Sequence, residues 1–133
     1  MNTKSLFLLV LIFPAMAWAG GAEELLSQYR QQGAGAFSLE RGQALWQREV
    51  VHAKGRSPRR CQSCHSRDRN QAGKHLRTGK AIAPMSRAVR ADAFSDVRHM
   101  KKWFLRNCKW TYGRRCTAQE KGDLLTYLLS GVK

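Results

Sequence analysis

The sequence lacks several features that would place it in large classes of proteins. Its N-terminal apolar run, Leu6 to Phe13, is too short to cross a bilayer, and no second run follows it. No stretch alternates apolar and polar residues over the length of a strand, and no internal repeat is present. We therefore expect neither a membrane-spanning nor a β-rich nor a repeat protein.

Acidic residues are also scarce. Nine Asp and Glu stand against 24 Lys and Arg, which gives a formal net charge of +15. No nucleic-acid-binding motif accompanies these basic residues, so we expect no nucleic acid partner. Such a surface favours electrostatic steering toward acidic proteins or an anionic membrane surface. For any single basic residue, a solvated position that only promotes solubility is the alternative.

The N-terminus has the pattern of a secretory signal peptide. A short basic segment, Met1 to Lys4, precedes the apolar run, and Ala17-Trp18-Ala19 ends it in the form that signal peptidase accepts. We expect residues 1–19 to be removed and residues 20–133 to form one domain, with residues 20–35 as an N-terminal helix and extension. The pattern predicts a periplasmic protein in an oxidising compartment.

The most informative motif is Cys61-Gln62-Ser63-Cys64-His65. C-x-x-C-H is the attachment signature of a c-type haem: two thiols add to the porphyrin vinyl groups, and the histidine binds the iron. A redox C-x-x-C pair is one alternative, but it belongs beside a βαβ pattern, which is missing. Half of a zinc site is the other, but Cys108 and Cys116 are too widely spaced to complete it. We predict one covalent haem c, with His65 as the proximal ligand.

Hydrophobic periodicity predicts an all-α fold. We expect helices over Ala22–Gln32, over 39–48 after an N-cap at Ser38, over 92–106, and after a capping box at Thr117. The segments 50–60 and 71–85 contain glycine and proline and are predicted to be loops. The overall expectation is a class I-like cytochrome c fold packed around its haem.

Two further features concern the position on the iron opposite His65, where a sixth ligand binds. Cys108 and Cys116 have no haem to bind, and an oxidising compartment favours a disulfide between them over two free thiols. The sixth ligand is open from spacing alone. Met85 follows Pro84, as in electron-transfer cytochromes, whereas Asn107 extends a helical face and could equally be a helix C-cap. Spacing favours Met85 slightly, while His99 and Met100 are formally available.

A resemblance changes that preference. The sequence resembles the SHP (sphaeroides haem protein) family of small bacterial monohaem cytochromes c over most of residues 20–133. The segments that carry it, beside C-x-x-C-H, are Arg77-Thr78-Gly79-Lys80-Ala81-Ile82-Ala83-Pro84, Phe94-Ser95-Asp96, Trp103-Phe104-Leu105-Arg106-Asn107-Cys108, Gly113-Arg114-Arg115-Cys116-Thr117 and Glu120-Lys121-Gly122-Asp123-Leu124-Leu125. The resemblance implies that Asn107 is the distal ligand, supported by a Cys108–Cys116 disulfide. It leaves Met85 as a packing residue, although a methionine there departs from the family pattern.

The expected function follows from ligand chemistry. An amide oxygen is a hard, weak donor that should leave on reduction, so that ferrous haem can bind a diatomic gas such as O2 or NO. A thioether from Met85 would instead give a plain electron carrier. The family implies a dihaem cytochrome c or a membrane cytochrome b as redox partners. A catalytic enzyme is a third hypothesis, without convincing distal acid–base groups, since His52, His75 and His99 are scattered. Arg77 is a candidate partner for a haem propionate.

Overall fold

The computed structural model describes residues 20–52 and 57–131. Within these residues there are five helices and one small antiparallel sheet, so the all-α prediction is confirmed apart from that sheet. The predicted signal peptide, residues 1–19, lies outside them. The elements are α1 (Gly21–Gln31), α2 (Leu39–Gln47), α3 (Gln62–His65), β1 (Gly73–Lys74), β2 (Ala81–Ile82), α4 (Val97–Tyr112) and α5 (Ala118–Leu129). None of the helices described in residues 20–52 and 57–131 has the length and apolar character needed to cross a membrane.

Local capping signals fix the starts of α2 and α5 where the sequence predicts them. The Ser38 hydroxyl accepts a hydrogen bond from the Arg41 N–H and so satisfies a free donor of α2. At α5, the Thr117 hydroxyl accepts from the Glu120 N–H, and the Glu120 carboxylate accepts from the Thr117 N–H. These reciprocal bonds confirm the predicted capping box.

The bounds predicted for the third long helix, residues 92–106, are wrong at both ends. Asp96 is the N-cap, with its carboxylate accepting from the His99 N–H, so α4 begins at Val97. The helix continues to Tyr112 because Gly113 provides the left-handed terminus, with φ 71°. Asn107 therefore lies inside α4, and the alternative role proposed for it, a helix C-cap, is wrong.

The predicted loop over residues 71–85 contains the sheet. Gly73 pairs with Ile82 and Lys74 with Ala81 in an antiparallel register. Two residues per strand are too few to show an alternating pattern, which is why the sequence gave no strand signal. The hairpin turns the chain back, so that Met85, just beyond β2, returns to the helical core.

Helices α2 and α5 cross closely enough to exclude a side chain from one position. A Cβ added to Gly42 would lie 2.0 Å from the Asp123 carbonyl oxygen and 2.7 Å from the Tyr127 Cβ. Two buried clusters adjoin this crossing. The first joins α1, α4 and α5 and consists of Ala22, Leu25, Tyr29, Met100 and Leu125. The second joins α2 to α5 and consists of Leu45, Trp46, Leu124, Tyr127 and Leu128.

A buried carboxylate ties the same two helices to the loop before α2. Asp123 is 2% exposed, and its oxygens accept from the Ser38 N–H, the Arg41 guanidinium and the Gln119 amide. These hydrogen bonds lower the pKa of Asp123 against the opposing effect of burial. The charge is therefore compensated where it is buried, as a buried carboxylate requires.

The capping carboxylate of α5 predicts a pH dependence of stability. Hydrogen bonds from Arg114 lower the pKa of Glu120 from 4.5 to about 2. A depressed folded-state pKa gives stabilisation that is complete above pH 4.5 and declines as the pH falls toward 2. We expect Glu120→Gln to lower the free energy of unfolding at pH 7, with the deficit shrinking over that window. Urea unfolding of both proteins between pH 2 and 7 measures it, with the exposed Glu24→Gln as the control. A deficit that does not change with pH would contradict the assignment.

Candidate haem site

The C-x-x-C-H motif forms a single helical turn that presents both thiols together. Cys61 precedes α3, and its carbonyl accepts from the His65 N–H at 3.2 Å. Both Cys61 and Cys64 are free thiols, and the Cys61 Sγ lies 3.8 Å from the Tyr112 hydroxyl. Within residues 20–52 and 57–131 no group of three His, Cys, Asp or Glu side chains could hold a metal ion, which disfavours the zinc alternative.

His65 is poised as a neutral ligand. Burial lowers the pKa of His65 to about 4, so its imidazole is uncharged at neutral pH. Its Nδ1 is buried and has no hydrogen-bond partner among the described residues. The ring of Trp46 lies against it, with 5.5 Å between the ring centroids. A neutral imidazole is the form that binds a metal.

Sheet strand β1 supports the motif from behind. A Cβ on Gly73 would lie 1.9 Å from the Cys64 carbonyl oxygen and 2.9 Å from the His65 Cα. Only glycine fits this approach without moving the backbone. Sequence reasoning missed this residue, because nothing local distinguishes it from the other glycines of the segment.

Met85 packs into the helical core just beyond β2. Its N–H donates to the Arg69 carbonyl at 3.0 Å, and its side chain packs against the cluster that contains Trp46 and Tyr127. The same cluster also takes in Cys61 of the haem motif and Phe104 of α4, the helix that carries Asn107.

Asn107 lies half-buried in the interior of α4. Its side-chain amide makes no hydrogen bond to any residue in the described part of the chain. The next residue, Cys108, places its Sγ 1.97 Å from the Sγ of Cys116, which joins the end of α4 to the start of α5. Helices α3 and α4, which carry His65 and Asn107, do not pack extensively against each other.

The structure also bears on the predicted propionate partner. Arg77 is exposed in the β1–β2 turn and forms no ion pair within the described residues. Arg69, which sequence reasoning missed, is 3% exposed. Its Nη1 donates to the Tyr127 carbonyl near the end of α5, and its guanidinium lies 4.1 Å from the centre of the Tyr127 ring.

Arg69 is a buried cation without a carboxylate. Its Nε and Nη2 have no partner among the described residues, and burial lowers its pKa. Burying a cation is expensive unless an anion or a hydrogen-bond acceptor compensates it. A haem brings two propionate carboxylates. Together with the paired thiols and the neutral His65, this unpartnered cation fits a covalently bound haem.

Comparisons with known proteins agree with this site. Residues 32–128 match the family described as "Domain of unknown function (DUF1924)". The chain is 38% identical over 119 residues to the cytochrome c-type protein SHP of Cereibacter sphaeroides, covering 90% of this chain and 91% of that protein. It is 28% identical over 125 residues to cytochrome c″ of Methylophilus methylotrophus, covering 90% of this chain and 86% of that protein.

Solved structures show the same fold. Oxidised SHP, described as an oxygen-binding cytochrome c, superposes with a TM-score of 0.75 at 36% identity, covering 84% of this chain and 97% of that one. Oxidised cytochrome c″ superposes with a TM-score of 0.74 at 27% identity, covering 85% and 96%. The predicted class I-like cytochrome c fold is confirmed.

Proposed function

The chain belongs to the SHP family of c-type cytochromes and carries one covalent haem c, and we propose that it is a periplasmic gas-binding cytochrome. In this proposal Cys61 and Cys64 hold the haem, His65 is the proximal ligand, and Asn107 is the distal ligand of ferric iron. The observation that supports Asn107 is its half-buried side-chain amide, which makes no hydrogen bond within the described residues, whereas Met85 packs against an apolar cluster.

The surroundings of the two side chains favour Asn107 over Met85 as the distal ligand. Met85 packs against the apolar cluster that contains Trp46 and Tyr127, where a thioether needs no polar partner. The Asn107 amide, by contrast, has no partner in the described chain and projects from a separate helix. An amide oxygen without an internal hydrogen-bond partner is available to bind iron.

Ligation by the Asn107 amide would explain how the oxidation state of the iron controls gas binding. Haem iron supplies the redox change and the position at which a diatomic gas binds. Asn107 offers a hard, neutral oxygen, which holds ferric iron tolerably and ferrous iron poorly. His65, neutral and placed beside Trp46 and Gly73, would hold the iron in both oxidation states. Asn107 would be the ligand that leaves on reduction, and oxygen, nitric oxide or carbon monoxide could take its place.

We also propose a disulfide between Cys108 in α4 and Cys116 just before α5, whose sulfur atoms lie together. For partners we propose acidic redox proteins, such as a dihaem cytochrome c or a membrane cytochrome b. The charge of +15, which becomes +14 when Lys4 is removed with residues 1–19, supports this, because cationic surfaces speed encounters with acidic partners. The signal-like segment at residues 1–19 supports the periplasmic location.

The optical spectrum of the haem-loaded protein tests the central claim. We expect a reduced protein with a five-coordinate, high-spin spectrum that shifts promptly when carbon monoxide is added. Release of Asn107 on reduction is the reason. A low-spin reduced spectrum that carbon monoxide does not change, with a methionine–iron charge-transfer band when oxidised, would instead identify a plain electron carrier ligated by Met85 and overturn the proposal.

A further inference from the structure

Two tryptophans flank the proposed distal ligand on α4. Residues three and four apart are neighbours on one side of a helix, so Trp103 lies one turn before Asn107 and Trp110 about one turn after it. Their side chains are 39% and 36% exposed. On the other side of Asn107 the helix is packed into the core through Met100 and Thr111, which are 5% and 2% exposed. Asn107 thus stands between a filled core and two half-exposed indoles.

Cationic side chains cover the ring of Trp103. The Arg106 guanidinium lies 5.2 Å from its centroid and the Lys102 ammonium 5.8 Å away. The ring of His99 approaches from the preceding turn at 5.9 Å. Contacts of this kind between cations and an indole face are attractive, and they restrict the ring.

Trp110 is held by a residue from another part of the chain. The Arg59 guanidinium stacks at 4.5 Å from the centre of the Trp110 ring, and its Nη1 donates to the Trp110 carbonyl at 2.8 Å. Arg59 is itself fixed by a β-bridge to Val50, with both backbone hydrogen bonds at 2.9 Å. The indole is therefore anchored to the stem of the segment that leads into the haem motif.

We propose that Trp103 and Trp110 form the outer wall of the distal pocket and limit the access of gas and water to the iron. The inference rests on the proposed function, because it takes Asn107 as the distal ligand. On the core side of Asn107, the helix is packed through the buried Met100 and Thr111. The released amide and an incoming gas molecule must therefore move toward the side of α4 that carries the two indoles. Two rigid, partly fixed indoles on that path slow ligand entry and keep water from competing with the amide.

The arrangement favours a wall over a docking face for another protein. Each indole already has a cation of this same chain over its ring, and the cation over Trp110, Arg59, comes from a separate segment. A different stripe of α4, which carries the exposed Arg98 and Lys109, is open to an acidic partner. Docking of an acidic protein through the indoles is the competing account, and the experiment below distinguishes it.

Flash photolysis of the reduced carbon monoxide complex tests the wall. We expect Trp103→Ala and Trp110→Ala to raise the second-order rate of carbon monoxide binding several-fold, and their phenylalanine variants to restore most of the wild-type rate. The control is Leu105→Ala, an apolar residue of the same helix that is 40% exposed on the side away from Asn107. The ferric spectra provide a second readout, since water that competes with Asn107 should increase the high-spin band of the alanine variants.

The possible results distinguish a failure of this inference from a failure of the proposed function. A reduced wild-type protein that ignores carbon monoxide overturns the proposed function and this wall together. If the wild type binds carbon monoxide but both alanine variants match it in rate and ferric spectrum, the wall alone is wrong. If the alanine variants bind carbon monoxide at the wild-type rate but exchange electrons more slowly with an acidic cytochrome, the indoles form a docking surface and the wall is wrong. An equal rate increase in Leu105→Ala would also overturn the inference, because it would indicate general loosening of α4.

Discussion

Replacing Asn107 by methionine should abolish the response of the reduced protein to carbon monoxide. A thioether binds ferrous iron well, so the variant should remain six-coordinate and low-spin after reduction. Its reduction potential should rise, on the order of 0.1 V, because a methionine ligand favours the ferrous state. Potentiometric titration and optical spectra with and without carbon monoxide measure both effects.

Asn107→Ala gives the complementary result. Without an internal ligand, the ferric protein should become high-spin, with water or an added anion in the open position, while carbon monoxide binding to the reduced protein persists. The matched control is Met85→Leu, which keeps the volume of a side chain in the Trp46 cluster and should leave all these spectra unchanged. If Met85→Leu, and not Asn107→Ala, converts the ferric protein to high-spin, the ligand assignment is wrong.

The largest effect on stability is expected from Gly42→Ala. The added methyl group would overlap the Asp123 carbonyl, which is 2.0 Å from the ideal Cβ position, and neither backbone can yield without separating α2 from α5. Overpacking of this kind costs about 3 kcal/mol. For a domain of this size the melting temperature should fall by about 10 °C or more. Thermal and urea unfolding of the haem-loaded protein measure the loss.

Gly35→Ala is the matched control for that substitution. A Cβ there would meet only the Gln119 side-chain oxygen, at an ordinary contact distance of 3.6 Å. The Gly35 N–H, which donates to the same oxygen, is retained. We expect a change in the free energy of unfolding within about 0.5 kcal/mol. Equal losses in the two variants would show that the α2–α5 crossing tolerates a side chain and that the glycine reflects only backbone entropy.

Features whose physics is local were predictable from the sequence. The turn that pairs Cys61 with Cys64 and places His65 next to them needs only adjacent residues, and so do the caps at Ser38 and Thr117. The end of α4 was missed because Asn107 has the sequence character of a helix terminus. Gly113, six residues later, supplies a left-handed conformation at lower cost.

The features that escaped prediction depend on contacts between distant segments. Arg69 is buried only because α5 ends beside it and offers a carbonyl and an aromatic ring. Gly73 is required only because the hairpin returns to the C-x-x-C-H turn. The packing of Met85 is set by the same return of the chain. Spacing along the sequence could suggest this methionine as a ligand, but it could not show that its side chain packs against the Trp46 cluster.

The position of Asn107 in the interior of a 16-residue helix has a consequence for gas affinity. The backbone on either side is hydrogen-bonded, and Cys108 lies against Cys116, so as the proposed distal ligand the amide would leave the iron only by rotating about its own side-chain bonds. It would remain a tethered competitor at a high effective concentration. The apparent affinity for any gas would then be the intrinsic affinity multiplied by the fraction of time that the amide is turned away. Substitutions that alter only the rotamer balance of Asn107 would therefore tune gas affinity without touching the iron or its proximal histidine.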